Sequence, residues 1–120
     1  MAKIAVQSVG LDQYMAENGI QRVDVMKLDV EGGELEVLRG AAGMLEKLRP
    51  ILICEVLDQT TLVWGYPARE IILLLASAGY LWFECAPDGT LDPHEIREAY
   101  PSVKNYVAVP REKWPLQVGR

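Results

Sequence analysis

Lys27, Asp29, Glu31, Glu34 and Glu55 are the residues whose types and spacing could do chemistry. The first four lie in Lys27-Leu28-Asp29-Val30-Glu31-Gly32-Gly33-Glu34, where a β-rich run meets a glycine pair. While the run is extended, Lys27, Asp29 and Glu31 share a face, because side chains alternate along a strand. Glu55 ends a second apolar run, Ile51-Leu52-Ile53-Cys54-Glu55-Val56. Carboxylates at neighbouring strand ends can hydrogen-bond hydroxyls or an ammonium group. They can also bind a hard cation through oxygen, or deprotonate a hydroxyl. Glu31 and Glu34 have a structural alternative at a helix N-terminus, where the macrodipole favours anions. Lys27 has one as the ion-pair partner of Asp29. Asp29 stands in an apolar run that needs no charge, which favours a functional role.

These residues need elements to place them. Val23–Val30 reads as a buried strand, and Gly32-Gly33 permits a sharp turn out of it. A helical stripe follows from about Glu34, with Leu35, Leu38, Ala41, Ala42, Leu45 and Leu48 at three- and four-residue spacing. Gly40 and Gly43 interrupt it, so a break is expected near Gly40, and Pro50 closes the segment. Ile51–Val56 is the second strand and Asp58–Gly65 a loop. Pro67 suits the first turn of a helix through Ala78, with Gly79 beyond its end. Tyr80–Cys85 is a third strand. Ala86–Tyr100 reads as loop plus a short helix near His94–Ala99, and Asn105–Val109 as the last strand. Upstream, Lys3–Ser8 reads as a strand, and Leu11-Asp12 opens a helix through about Asn18 that Gly19 ends.

Strands alternating with helices predict an α/β domain with a parallel sheet, helices on its faces and a last strand entering antiparallel. In such sheets the ligand crevice lies at the carboxyl ends of the strands, where the acidic residues fall. The 120 residues predict a single domain, residues 1–120. Half are apolar and 24% charged, a globular composition. The net charge of −5 argues against nucleic acid and anionic membrane surfaces as partners. No signal peptide is visible, and the longest apolar run, Ile71 to Ala76, is far below the ~20 residues a bilayer requires. Cys54 and Cys85 form no CxxC motif and read as structural free thiols, which fits a cytoplasmic setting. His94, the lone histidine, reads as a surface residue. Trp64-Gly65-Tyr66 reads equally as pocket lining or packing.

The run Val25–Ala41 resembles the hallmark of FkbM-type methyltransferases, K-[IL]-D-x-E-G-x-E-x-x-[VL]-x-G. Other pieces are similar to the same family: Leu11-Asp12, Arg49-Pro50 through Glu55, Gly79-Tyr80, and Asn105 through Pro110. The resemblance implies a Rossmann-like class I methyltransferase fold and methyl transfer from S-adenosylmethionine to oxygen on sugars or natural-product hydroxyls. It implies that Asp29 and Glu31 lie beside the methyl-transfer position as catalytic residues. Lys27, Glu55 and Trp64 would then contact a small-molecule hydroxyl substrate. No metal ligand is assigned.

The family's cofactor half should carry a glycine-rich strand-to-helix turn, and no G-x-G occurs in this chain. The resemblance therefore implies the C-terminal half of a methyltransferase domain, inactive alone, with cofactor-binding residues unassigned. The alternatives are a non-catalytic binding or oligomerisation module, or a truncated gene product. A half-sheet would expose the edge of Val23–Val30 and favour a homodimer or a strand exchange involving Lys3–Ser8 or Val23–Val30.

Overall fold

A computed structural model describes residues 3–116. The elements are α1 (Leu11–Asn18), β1 (Val25–Leu28), α2 (Glu34–Arg39), α3 (Ala42–Lys47), β2 (Ile51–Glu55), α4 (Asp58–Thr61), α5 (Arg69–Ser77), β3 (Tyr80–Cys85), β4 (Leu91–Pro93) and β5 (Asn105–Pro110). Short 3-10 turns occupy Leu62–Trp64 and Arg111–Lys113.

The five strands form one sheet in the order β1-β2-β5-β3-β4. Only β1 and β2 pair in parallel, with Val25 beside Ile51 and Leu28 beside Cys54. β5 enters between β2 and β3 and runs antiparallel to both, with Val107 level with Ile53 and with Phe83. The antiparallel last strand is thus as expected, but the sheet is mixed and not mostly parallel. The reason lies in the connection from β3 to β5. It carries a hairpin strand, β4, paired antiparallel on β3, in place of the crossover helix that a parallel entry needs.

Register also decides which side is covered. Leu52, Cys54, Trp82, Tyr106 and Ala108 share one face and join a single core cluster. Helix residues Met15, Leu38, Leu45, Ile71 and Leu75 pack into the same cluster. The opposite row, Lys27, Ile53, Val107 and Phe83, belongs to none of it. The helices therefore lie on one face, where both faces were expected. Across the sheet, Phe83 is covered by Trp114, ring centroids 4.2 Å apart, while Ile53 and Val107 stay half-buried. Two of the buried aromatics satisfy their polar atoms on backbone carbonyls. Tyr80 donates to Pro50 at 2.8 Å and Trp82 to Ile72 at 3.0 Å.

Several local expectations hold. The helical stripe breaks at Gly40–Ala41 into α2 and α3. Gly19 ends α1 in the left-handed region, φ 65°. Asp12 caps α3 from across the fold, accepting from the backbone N–H of Gly43 at 2.7 Å and Met44 at 2.9 Å.

Others are corrected. Lys3–Ser8 is no strand, and Ile4 and Val6 are more than four-fifths exposed. An alternating pattern becomes a strand only where a ladder partner is within reach, and no strand edge meets this segment. Val23–Val30 shortens to Val25–Leu28 and is the outermost strand, with Val25 56% exposed instead of buried. Asp58–Gly65 is a helical turn and a 3-10 turn, not a loop. Asp58 organises it by accepting from the Ala68 and Tyr100 N–H groups. No helix forms near His94–Ala99, because the chain is held there by contacts of His94 and Tyr100 described below.

Candidate active site

The parallel ladder of β1 and β2 ends at Leu28 beside Cys54, so Asp29 and Glu55 sit level at the next step. The chain then turns through Glu31, φ 52°, and Gly32, φ 99°, both in the left-handed region. That turn swings Glu31 back over the strand ends. Carboxylate oxygens of Asp29, Glu31 and Glu55 all lie within 4.8 Å of one another. Asp29 and Glu31 are exposed and Glu55 half-buried.

Like charges this close favour the neutral form of the most buried member. The Glu55 carboxyl is raised above its ordinary range, first by burial and then by Asp29, Glu31 and Glu34. Such a group accepts a proton more readily than a free glutamate. The spacing would also suit a hard cation, the alternative left open by the residue types.

Lys27 lies one pleat below, on the same face as Ile53 and Glu55. Its side chain is exposed and, among the described residues, makes no ion pair, so it is not held by Asp29. Glu34 is the first residue of α2, yet it does not cap that helix. Its Oε2 accepts from the Val30 N–H at 2.8 Å and closes the preceding turn. Its Oε1 is buried without a partner. The Cys54 thiol beneath is pushed up to about 12 by burial and by the Glu34 charge. Cys85 is an exposed free thiol, against the structural reading of both cysteines.

Trp64 stands beside the carboxylates, 55% exposed, with its indole N–H donating to the Glu31 carbonyl at 3.2 Å. Tyr66 donates to the Gly32 carbonyl at 2.7 Å and accepts from the Leu35 N–H at 3.3 Å. Gly32 leaves no room here. A Cβ on it would come within 2.4 Å of the Thr60 carbonyl and 2.7 Å of the Trp64 ring.

Residues 1–81 match the methyltransferase FkbM domain. The chain belongs to that family. FkbM membership covers the acidic turn and both parallel strands. The chain is also similar to the 2-O-methyltransferase NoeI of Sinorhizobium fredii (strain NBRC 101917 / NGR234), 34% identical over 74 residues. That match covers 62% of this chain and 30% of the relative, so it spans less than a third of the protein it matches. No solved structure matches.

A methyltransferase family implies S-adenosylmethionine as methyl donor in general. Among the described residues of this FkbM chain, the glycine turn after β1 does not fit it. That turn, Gly32-Gly33, is filled by Thr60 and Trp64, and the adjoining backbone N–H groups of Val30 and Leu35 are taken by Glu34 and Tyr66.

A second polar cluster escaped the sequence reading. Glu84, near the carboxyl end of β3, accepts from His94 Nδ1 at 2.7 Å and from Lys104, with Arg97 at 3.5 Å. His94 Nε2 meets the Tyr100 hydroxyl at 2.8 Å, and its side chain is only 1% exposed, so the surface reading is corrected. The available signal was Glu84 itself, a charge in the apolar strand Tyr80–Cys85, the same feature that singled out Asp29. Among the described residues no helix is long and apolar enough to cross a membrane.

Proposed function

We propose that this chain is the acceptor-side, C-terminal half of a Rossmann-like class I O-methyltransferase domain. The observation that carries the reading is the grouping of Asp29, Glu31 and Glu55 at two parallel strand ends, within the residues that match the family. Asp29 and Glu31 hold the hydroxyl of a small acceptor, a sugar or natural product, and take up its proton. Glu55, with its raised carboxyl, strengthens that proton-accepting group. Lys27 and the exposed face of Trp64 flank the acceptor. An aromatic face beside carboxylates suits a ligand that has both C–H surface and hydroxyls. Methyl transfer itself requires the cofactor half, and the chain alone is inactive. The free thiols suit a reducing cytoplasm.

The experiment has two arms. Calorimetric titration of the 120-residue chain with S-adenosylmethionine is expected to show no micromolar binding, and such binding would overturn the half-domain reading. Titration with simple glycosides, followed by NMR, is expected to move signals of Asp29, Glu31, Glu55 and the Trp64 indole. A spectrum unmoved at those residues overturns the acceptor reading.

The open edge of β1 supports a further element of the same reading. Among the described residues β1 has no partner on its outer side, and Val25 is exposed beside the half-buried Ile51 and Ile53. Unpaired backbone groups next to apolar side chains are a template for another strand. In the isolated chain that strand comes from a second copy, giving a homodimer.

A further inference from the structure

We propose that Tyr66 is a positioning residue for the carboxylate group, and that its hydroxyl holds the turn that brings Glu31 to Asp29 and Glu55. The inference rests on the reading of those carboxylates as the acceptor site, although its test does not.

The turn cannot be expected to hold itself. Glu31 is a non-glycine residue at φ 52°, a conformation that costs about 1 kcal/mol or more. Its carboxylate is also held against two like charges that would drive it into solvent. From within, the turn has the Gly33 N–H on the Val30 carbonyl at 3.2 Å and Glu34 on the Val30 N–H. The first bond holds the peptide unit after Gly32 only by its N–H, and neither bond reaches the carbonyls of Gly32 and Glu31. Those two carbonyls are held from outside. Tyr66 takes the Gly32 carbonyl at 2.7 Å, and Trp64 the Glu31 carbonyl at 3.2 Å.

Tyr66 makes the more constraining contact. One hydroxyl donates to Gly32 and accepts from Leu35, so it ties the turn to the first turn of α2. Burial raises the Tyr66 phenol above its ordinary range, which keeps the donor proton in place. The ring is half-buried, whereas the Trp64 ring is mostly in solvent. Close packing of Thr60 on Gly32 leaves the turn little room to move while the hydroxyl is present. Once the hydroxyl is removed, that peptide unit keeps only the 3.2 Å bond of the Gly33 N–H, and like-charge repulsion moves Glu31 outward.

Tyr66→Phe keeps the ring and deletes both hydrogen bonds. The readout is the carboxyl titration midpoint of Glu55, followed by carbon-detected NMR. Glu31→Gln marks where that midpoint falls once the Glu31 charge is absent. The expected result is a Tyr66→Phe midpoint displaced from wild type toward the Glu31→Gln value, and a double variant whose midpoint falls at that value. A purely structural role would lower the melting temperature and leave the Glu55 midpoint at its wild-type value, and that result overturns the proposal. Should Tyr66→Phe fail to fold, Tyr66→Met removes the same hydroxyl and decides by the same midpoint: displaced supports, unmoved overturns. No methyl transfer enters the measurement. Failure of glycoside binding would therefore sink the function reading and leave this one standing.

Discussion

His94 donates through Nδ1 to the Glu84 carboxylate at 2.7 Å from a side chain almost wholly out of water. The donor is Nδ1–H because a carboxylate only accepts. Lys104, first, and His94 hold the Glu84 carboxyl well below its ordinary range, at about 2. A depressed carboxyl stabilises the fold at and above its unfolded midpoint and loses that contribution as pH falls toward the folded one. The window runs from about pH 4.5 down to about 2. Glu84→Gln is expected to lower stability at neutral pH by about 1–2 kcal/mol and to flatten the acid limb. Urea midpoints at neutral pH and near pH 2.5 check this. A variant whose acid limb is as steep as wild type would refute it.

Gly32 and Gly19 both have positive φ but differ in space. Around Gly19 a Cβ meets nothing within 4 Å, while at Gly32 it meets backbone at 2.4 Å. Gly19→Ala is expected to cost about 1 kcal/mol from conformation alone. Gly32→Ala should cost about 2–4 kcal/mol and displace the acidic turn. Denaturant midpoints of the two variants, compared directly, would show equal losses if the contact with Thr60 were unimportant.

Asp12 caps a helix to which it does not belong. Asp12→Ala removes acceptors for the Gly43 and Met44 N–H groups and is expected to cost about 1–2 kcal/mol. Thermal melting of Asp12→Ala and Asp12→Asn tests it, the latter retaining one acceptor and losing less.

The two thiols should separate kinetically. Cys54 is buried with its thiol pushed up to about 12, whereas Cys85 is exposed. An aromatic disulfide reagent at neutral pH is expected to titrate one thiol in the native chain and both in denaturant. Rapid reaction of both under native conditions would contradict the burial of Cys54.

The open edge of β1 leads to a statement about mass. Sedimentation of the 120-residue chain at micromolar concentration is expected to show a dimer. Placing proline at Val25, on the open edge strand, should favour the monomer. A wild-type chain that sediments as a monomer throughout would remove the proposal of a second copy.

What the sequence by itself determined was local. Alternation and a glycine pair located the end of β1 and put Asp29 and Glu31 there. The apolar run from Ile51 located β2 and Glu55, and strand polarity within one crossover unit put all three carboxylates at the same end. The break at Gly40 and the Gly19 cap were equally legible, because backbone conformation there depends on the residues themselves. Tertiary structure alone decided the rest. Nothing periodic says that β5 enters between β2 and β3, or that the helices gather on one face. Nor does it say that Lys3–Ser8 finds no partner. The roles of His94, Asp12 and Tyr66 come from partners 10 to 34 residues away in the chain. Such contacts are created by the packing of elements on the sheet, and no pattern of residue type or spacing within one segment encodes them.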